Sequence, residues 1–158
     1  MAGLASPPRY VSVVGGTDVS EGVLAMAEEV GRLLAQRGCI VVTGGRAGVA
    51  EAASRGAVLA GGTTVGILPG AKRGGANPYV TVAVPTGLGE TRNALVVMDA
   101  AAVIALPGAY GTLSEVAFAL LAGTPVVALA DGWDVAGTVP ARTATDAVDL
   151  ALDLSAAR

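Results

Sequence analysis

The sequence predicts an α/β fold, a three-layer sandwich with a mainly parallel sheet. Short β-branched runs alternate with helical patterns along all 158 residues, as in successive βαβ units. The runs are apolar at consecutive positions, which is typical of parallel strands buried on both faces. Neither a linker nor an internal repeat interrupts the alternation. The length therefore predicts one domain over residues 1–158, with residues 1–8 as a frayed tail.

The first half of the chain alternates three strands with two helices. Ser20 is the expected N-cap of a helix that runs to about Gln36 and that Gly38 ends. Between these positions apolar side chains repeat at helical spacing. A second helix is predicted from about Gly48 to Ala60. The predicted strands lie at 10–14, 39–45 and 63–68.

The second half begins with a loop at 70–78 and then resumes the same alternation. A helix is predicted from about Glu90 to Ala100, and another follows the fifth strand, where apolar residues again recur at helical spacing. The chain closes with a helix capped by Thr143 or Thr145. The predicted strands lie at 79–84, 101–106 and 125–130.

The composition excludes a membrane span and an internal disulfide. No apolar run approaches the ~20 residues that a spanning helix needs, because Gly, Pro or a charge interrupts every candidate. The first residues show no basic segment followed by an apolar one, so a secretory signal is not expected. The single cysteine, Cys39, falls in a strand pattern and is expected to be buried. These features predict a cytoplasmic location.

The absence of histidine narrows the chemistry further. It excludes Ser-His-Asp and Cys-His machinery and, with one cysteine, an ordinary zinc site, so no metal is expected. A net charge of -3, without basic clusters and with few aromatic residues, disfavours nucleic acid as a partner. The only lysine, Lys72, lies in a loop, which disfavours Schiff-base chemistry. A small molecule is the expected ligand.

Three glycine-rich turns follow the first, second and fifth predicted strands, at the sheet edge where parallel sheets bind ligands. Glycine allows positive φ and close approach of an anion, and helix N-termini supply unpaired N–H groups. Each turn alone could be an ordinary tight connection, but together they predict a phosphate site. The predicted ligand-binding residues are Gly15, Gly16, Thr17, Gly44, Gly45, Arg46, Gly48, Gly108, Ala109, Tyr110, Gly111 and Thr112.

Two charged residues are candidates for chemistry at this edge. Arg92, near a helix start, could make a forked contact with phosphate, or it could form a surface or interface ion pair. Glu115 has two interpretations. It completes a capping box with Thr112 in the first turn of its helix, or its carboxylate lies beside a bound sugar or base.

A dinucleotide-binding dehydrogenase is disfavoured. The fingerprint G-x-G-x-x-G would need glycine where Thr43 stands, and the strand after the second turn ends in "LPG", with no carboxylate for a ribose hydroxyl. A separate substrate domain is also missing.

The segment "PGAYGTLSE" resembles the PGGxGTxxE motif of the LONELY GUY (LOG) family, long mislabelled as lysine decarboxylases. The segments "TGGRAGVAEAASRGAVLAGGTTVGILPG" and "GLGETRNALVVMDAAAVIALPG" are similar to other parts of that family, and the resemblance extends from Tyr10 to Asp131. It implies a Rossmann-like homodimer with sites near the interface, in which Arg92 and Glu115 match the catalytic pair. Gly108, Gly111 and Thr112 match the phosphate cradle.

Several positions depart from the family motif and point to a sister branch. Ala109 replaces the second glycine of PGG, Asn93 replaces a basic residue, and Ser114 replaces a glutamate. In these features the chain is similar to a branch of small proteins resembling the molybdenum cofactor carrier protein. That likeness implies an anionic pterin- or nucleotide-like ligand.

Two functions are therefore carried forward from the sequence. The first is a binding protein for a phosphorylated nucleotide- or pterin-like molecule, with no cofactor required and a nucleotide, phosphate or molybdopterin-type ligand bound. The alternative is a phosphoribohydrolase of the cytokinin riboside 5′-monophosphate class. A structural or regulatory role is the third interpretation. The helix "SEVAFALLAG" has apolar residues around much of its circumference, which predicts a homodimer or homotetramer.

Overall fold

A computed structural model describes residues 5–158 and has a seven-stranded, fully parallel sheet at its centre. The strand order is β4-β3-β2-β1-β5-β6-β7. The strands are β1 (Tyr10–Val14), β2 (Ile40–Thr43), β3 (Thr64–Leu68), β4 (Val82–Pro85), β5 (Ala102–Ala105), β6 (Val126–Leu129) and β7 (Val139–Ala141). The predicted fold class is thereby confirmed.

Helices cover both faces of this sheet. They are α1 (Glu21–Gln36), α2 (Val49–Leu59), α3 (Asn93–Val97), α4 (Tyr110–Leu121) and α5 (Ala144–Ala156). The side chains of Ser20 and Thr143 cap α1 and α5 as predicted, since each hydroxyl accepts a hydrogen bond from a backbone N–H three residues on. Two 3₁₀ turns, Arg73–Gly75 and Gly89–Arg92, complete the secondary structure of the described residues.

Alternate residues of the central strand serve the two faces. Val11 and Val13 pack in a cluster with buried residues of α1, α2 and α5, whereas Val14 packs with α3 and α4. Ser12 faces the same side as Val14, and its buried hydroxyl donates to the carbonyl of Val96 at 2.6 Å. A polar residue in the central strand is thus accommodated because its hydroxyl is satisfied.

The order of the strands decides where the glycine turns meet. β1 lies between β2 and β5, so the chain winds in opposite directions from this point. Such a reversal opens a crevice beyond the carboxyl ends of the central strands. The turns after β1, β2 and β5 therefore converge on one edge of the sheet.

Three element predictions need correction. β7 was not predicted, because Pro140 lies in the middle of its three residues; proline is tolerated there since β7 is an edge strand. β4 begins at Val82 rather than residue 79. α3 is limited to Asn93–Val97, since residues 89–92 form a 3₁₀ turn and Asp99 turns the chain with a φ of 57°.

The ends of the chain and its single cysteine complete the comparison. Residues 1–4 of the predicted frayed tail lie outside the described residues, and residues 5–8 belong to no helix or strand. Cys39 is a free, buried thiol, as predicted. Within residues 5–158, no helix has both the length and the apolar character that crossing a membrane requires.

Candidate functional site

A cavity of about 400 Å³ lies at the carboxyl ends of β1, β2 and β5. Its volume is in the range of small-molecule sites. Most of the predicted site residues line it: Gly15, Gly16, Thr17, Gly44, Arg46, Arg92, Ala109, Gly111, Thr112 and Glu115. Three separate turns and the segment that carries Arg92 thus meet in one cavity, and Glu115 reaches it from the helix that follows the third turn.

The four remaining predicted residues do not line this cavity. Gly45 and Gly48 adopt positive φ, of 75° and 71°, and shape the second turn. Gly108 packs so closely on Thr112 and Gly16 that a Cβ would collide with both. It lines a neighbouring cavity that shares Gly16, Thr17 and Ala109 with the first. Tyr110 is 80% exposed and lies outside both cavities.

Backbone hydrogen bonds tie the three turns together. The N–H of Gly16 donates to the carbonyl of Pro107 at 2.8 Å, which joins the first turn to the third. The N–H of Val49 donates to the carbonyl of Gly16 at 3.1 Å, which joins the start of α2 to the first turn. The position of each turn is therefore set by the others, as a preorganised site requires.

The third turn presents the N-terminus of α4 to the cavity. The helix begins at Tyr110 with Ala109 as N-cap, and the carbonyl of Ala109 accepts from Leu113 N at 3.1 Å. The N–H groups of the first helical residues therefore have no partner inside the helix. Ala109 has a φ of -92°, so this turn does not need glycine at the position where PGG has it.

The start of α4 at Tyr110 also shows that the capping-box interpretation is wrong. Thr112 is the third helical residue rather than the N-cap, and Glu115 falls in the second turn. Its side chain lines the cavity instead of returning to the helix end. Burial raises the pKa of Glu115 to about 8, with a smaller rise from Glu90 and an opposing effect of Arg92. At pH 7 this carboxyl group is therefore mainly protonated and can donate a hydrogen bond.

Arg92 enters the cavity from the 3₁₀ turn before α3. Its Nε and Nη1 atoms are buried and have no hydrogen-bond partner among the described residues. A side chain at Gly44 would collide with the guanidinium, so glycine is required there for space. Burial lowers the pKa of Arg92, and Arg46 lowers it further, whereas Glu115 and Glu90 raise it. Such unpaired buried donors are costly, and they point to a ligand as the missing acceptor.

Two polar residues of the cavity were not predicted as site residues. Glu90 lines the cavity, and so does Asn93, whose Nδ2 lies 3.4 Å from Glu90 Oε2 and 3.0 Å from Ser114 Oγ. The Ser114 hydroxyl in turn donates to the carbonyl of Gly111 at 2.6 Å. The positions of Asn93 and Ser114, which depart from the family motif, are therefore in direct contact. Their separation in sequence hid that relationship.

A further unpredicted residue, Asn77, holds the second turn. Its Nδ2 donates to the carbonyl of Arg46 at 2.9 Å, and its N–H donates to the carbonyl of Gly45 at 2.8 Å. Asn77 lies in the segment that the sequence predicts only as a loop. The only signal there was an asparagine before a proline, which marks turns in general.

The charges of the cavity favour an anion although the chain as a whole is acidic. Arg46 and Arg92 are positive, Glu90 is negative, and Glu115 is largely neutral at pH 7 because of its raised pKa. The cavity therefore carries about one net positive charge, beside the partial positive charge of a helix N-terminus. Among residues 5–158, no group of three or more His, Cys, Asp or Glu side chains could hold a metal ion.

A Rossmann-like domain with a positively charged cavity at its switch point is the class that fold and site define. The chain belongs to the SLOG cluster4 family, whose sequence profile matches residues 8–154. The resemblance to the LONELY GUY-like superfamily is thereby confirmed.

Three similar proteins illustrate the match. The molybdenum cofactor binding protein of Rippkaea orientalis is 33% identical, with a TM-score of 0.88 over 95% of this chain and 99% of that one. The molybdenum cofactor carrier protein of Chlamydomonas reinhardtii is 32% identical, with a TM-score of 0.85 over 95% and 99% of the two chains. A protein of Archaeoglobus fulgidus is 34% identical over 92% of this chain and 95% of its own length.

Proposed function

We propose that this protein binds a phosphorylated nucleotide- or pterin-like small molecule and that it acts as a carrier or storage protein. The observation that carries this proposal is the buried guanidinium of Arg92, whose Nε and Nη1 lack partners among the described residues and which lines the same cavity as the N-terminus of α4. Two related proteins whose names state that they bind or carry the molybdenum cofactor support it.

The phosphate is expected at the N-terminus of α4. The backbone N–H groups of Gly111 and Thr112 would donate to its oxygens, and Arg92 would pair with its charge. A protonated Glu115 can share this site with an anion because it adds a hydrogen-bond donor rather than a second negative charge. A molybdopterin-type ligand suits these donors through its phosphate, and the proposal requires no resident cofactor.

The alternative is hydrolysis of the N-glycosidic bond of a nucleoside 5′-monophosphate. The observation in its favour is that Arg92 and Glu115 line the same cavity from different segments, as the family resemblance requires of a catalytic pair. In this reaction an ionised Glu115 would stabilise the sugar cation or position a water molecule. The raised pKa of Glu115 favours the binding role, since at pH 7 only a minority of molecules would carry the ionised form.

A paired assay tests the two functions. The protein is titrated calorimetrically with AMP, with a pterin monophosphate and with their dephosphorylated forms, and AMP and N6-substituted AMPs are then incubated with it and assayed for free base. We expect phosphate-dependent binding without release of base. Release that Glu115→Gln abolishes would establish the hydrolase, and absence of all binding would leave a structural or regulatory role.

We further propose that the protein forms a homodimer or homotetramer. One face of α4 exposes apolar side chains: Tyr110 is 80% exposed, Phe118 42% and Leu121 85%. Met98, after α3, is 64% exposed. A continuous apolar face of this kind favours association between copies.

The free, buried Cys39 is consistent with a cytoplasmic location.

A further inference from the structure

The segment between β6 and β7 reaches back to the third glycine turn. The indole Nε1 of Trp133 donates to the carbonyl of Ala109 at 3.2 Å. The ring of Trp133 stacks on that of Tyr110, with centroids 6.0 Å apart and an interplanar angle of 30°. Trp133 therefore contacts both residues of one peptide unit, the unit at which α4 begins.

That peptide unit decides how α4 presents its first N–H. The carbonyl of Ala109 accepts hydrogen bonds from both Leu113 N and Trp133 Nε1. In a planar trans peptide the carbonyl and the following N–H point in opposite directions. With the carbonyl of Ala109 held along the helix, the N–H of Tyr110 points out of the helix N-terminus. The N–H groups of Gly111 and Thr112, two residues that line the cavity, follow in the same first turn.

The chain adopts an unusual conformation to bring Trp133 to this position. Ala130 and Asp131 have φ values of 58° and 57°, in the left-handed region that residues other than glycine rarely adopt. Gly132 follows, and a Cβ there would lie 3.2 Å from the carbonyl oxygen of Ala105, at the end of β5. Val135 packs against the core cluster that contains Val14. Backbone strain of this kind persists where the surrounding structure enforces it, often near functional sites.

We infer that Trp133 is a positioning residue of the anion site, which holds the Ala109–Tyr110 peptide and with it the first turn of α4, so that the N–H groups of Gly111 and Thr112 face the ligand phosphate. This inference rests on the proposed function and adds to it a residue that the sequence patterns did not indicate. Trp133 itself touches neither cavity, so its effect is transmitted through the peptide that it holds.

Trp133→Phe tests the inference because it keeps an aromatic ring beside Tyr110 and removes the N–H donor, together with part of the indole ring. We expect the variant to bind AMP, or the pterin monophosphate if that is what the wild type binds, about 3- to 10-fold more weakly, the range for one lost hydrogen bond. Binding of the dephosphorylated form should not change. Tyr10→Phe is the matched control: it also removes one polar hydrogen from an aromatic side chain, but it lies at the amino end of β1, away from the cavity, and should bind like the wild type.

If Trp133 had only a structural role, its replacement would weaken binding of the phosphorylated and the dephosphorylated ligand to the same extent. If Trp133→Phe weakens binding of the phosphorylated and the dephosphorylated ligand equally, or weakens neither, the inference is overturned. In either case the proposed function stands as long as the wild type binds the phosphate probe. Failure of the wild type to bind any phosphate probe overturns both. Trp133 is the only tryptophan, so its emission provides a second measurement if the variant does not fold. A saturating phosphate probe should shift wild-type emission, and no shift overturns the inference.

Discussion

Arg92 and Glu115 line the same cavity and are 8% and 7% exposed, yet they do not form an ion pair. The ion pairs found within residues 5–158 join Arg32 to Glu29, Arg37 to Asp149 and Arg55 to Glu28, all at partly exposed positions. The cavity therefore holds a buried cation and a carboxyl group that is mainly neutral at pH 7. Two nitrogen donors of the cation have no hydrogen-bond partner among the described residues. Arg92 and the protonated Glu115 can both donate hydrogen bonds to an acceptor in this cavity.

Glu115→Gln should stabilise the protein at high pH and change little at low pH. The usual pKa of 4.5 rises to about 8 in the folded state. Between these values the unfolded chain releases a proton that the folded protein retains, so wild-type stability falls as pH rises. The amide has the shape of the protonated carboxyl group but does not ionise.

Urea unfolding at pH 5 and pH 9 measures this effect. We expect the advantage of Glu115→Gln over the wild type to grow by about 4 kcal/mol between the two pH values. Other titrating groups are common to both proteins and cancel in the comparison. A constant difference would show that Glu115 ionises normally in the folded state.

Ligand affinity should depend on the protonation of Glu115. Below pH 7 its carboxyl group donates a hydrogen bond, and above about pH 8 the ionised group repels the ligand anion. We expect wild-type affinity for the phosphate ligand to fall by about 10-fold between pH 7 and pH 9, the effect of losing about 1.4 kcal/mol. Glu115→Gln keeps a donor and should not show this fall, which separates the effect from ionisation of the phosphate itself.

Arg92→Met should weaken ligand binding strongly without unfolding the protein. The variant replaces a buried guanidinium, two of whose nitrogens have no partner among the described residues, by an apolar chain of similar length. We expect affinity for the phosphate ligand to fall by about 100-fold, as for a lost charge-assisted contact, with melting temperature unchanged or raised.

The matched control is Arg37→Met. Arg37 follows the carboxyl end of α1, and its guanidinium pairs with Asp149 at a partly exposed position. An exposed pair contributes little to stability, and this one lies outside the cavity, so the control should bind ligand normally. If both variants bound the ligand equally well, Arg92 would not take part in ligand binding.

Gly31→Ala should destabilise the fold by about 2–3 kcal/mol, because α1 and α2 cross in direct backbone contact. A Cβ on Gly31 would collide with the backbone carbonyl of Ala53, which cannot move independently of its helix. Gly22→Ala in the same helix is the control: the nearest atom to its Cβ is Ser20 Oγ at 3.8 Å, so it should stabilise slightly. Thermal unfolding distinguishes them, and equal melting temperatures would contradict the close crossing.

Most of the fold could be predicted from local patterns in the sequence. β1 and α1 end where the β-branched run and the apolar helical spacing end, and both reflect period and burial over a few neighbouring residues. β7 escaped prediction because three residues around Pro140 provide too little period to recognise. The length of α3 was overestimated because residues 89–92 form a 3₁₀ turn and Asp99 adopts a positive φ, and no local sequence pattern indicates either feature.

The residues of the candidate site likewise include some that local sequence patterns predict and others that they do not. The sequence predicted that the three glycine turns, Arg92 and Glu115 lie at one edge of the sheet, because each is close to the end of a strand or the start of a helix, and residues of all three turns line one cavity with Arg92 and Glu115. The contacts of Asn77 with Arg46 and of Trp133 with Ala109 join loops that are far apart in the chain. No local pattern records such contacts.

The sequence by itself determined the alternation of strands and helices, and with it the edge of the sheet at which glycine turns and charged residues gather. Tertiary structure decided that Glu115 is buried one turn inside α4, that Arg92 has no ionic partner among the described residues, and that Trp133 holds the start of α4. The physical reason is that burial and orientation depend on the order of the strands in the sheet, which brings distant segments together. The spacing of residues along the chain reports only their immediate neighbours.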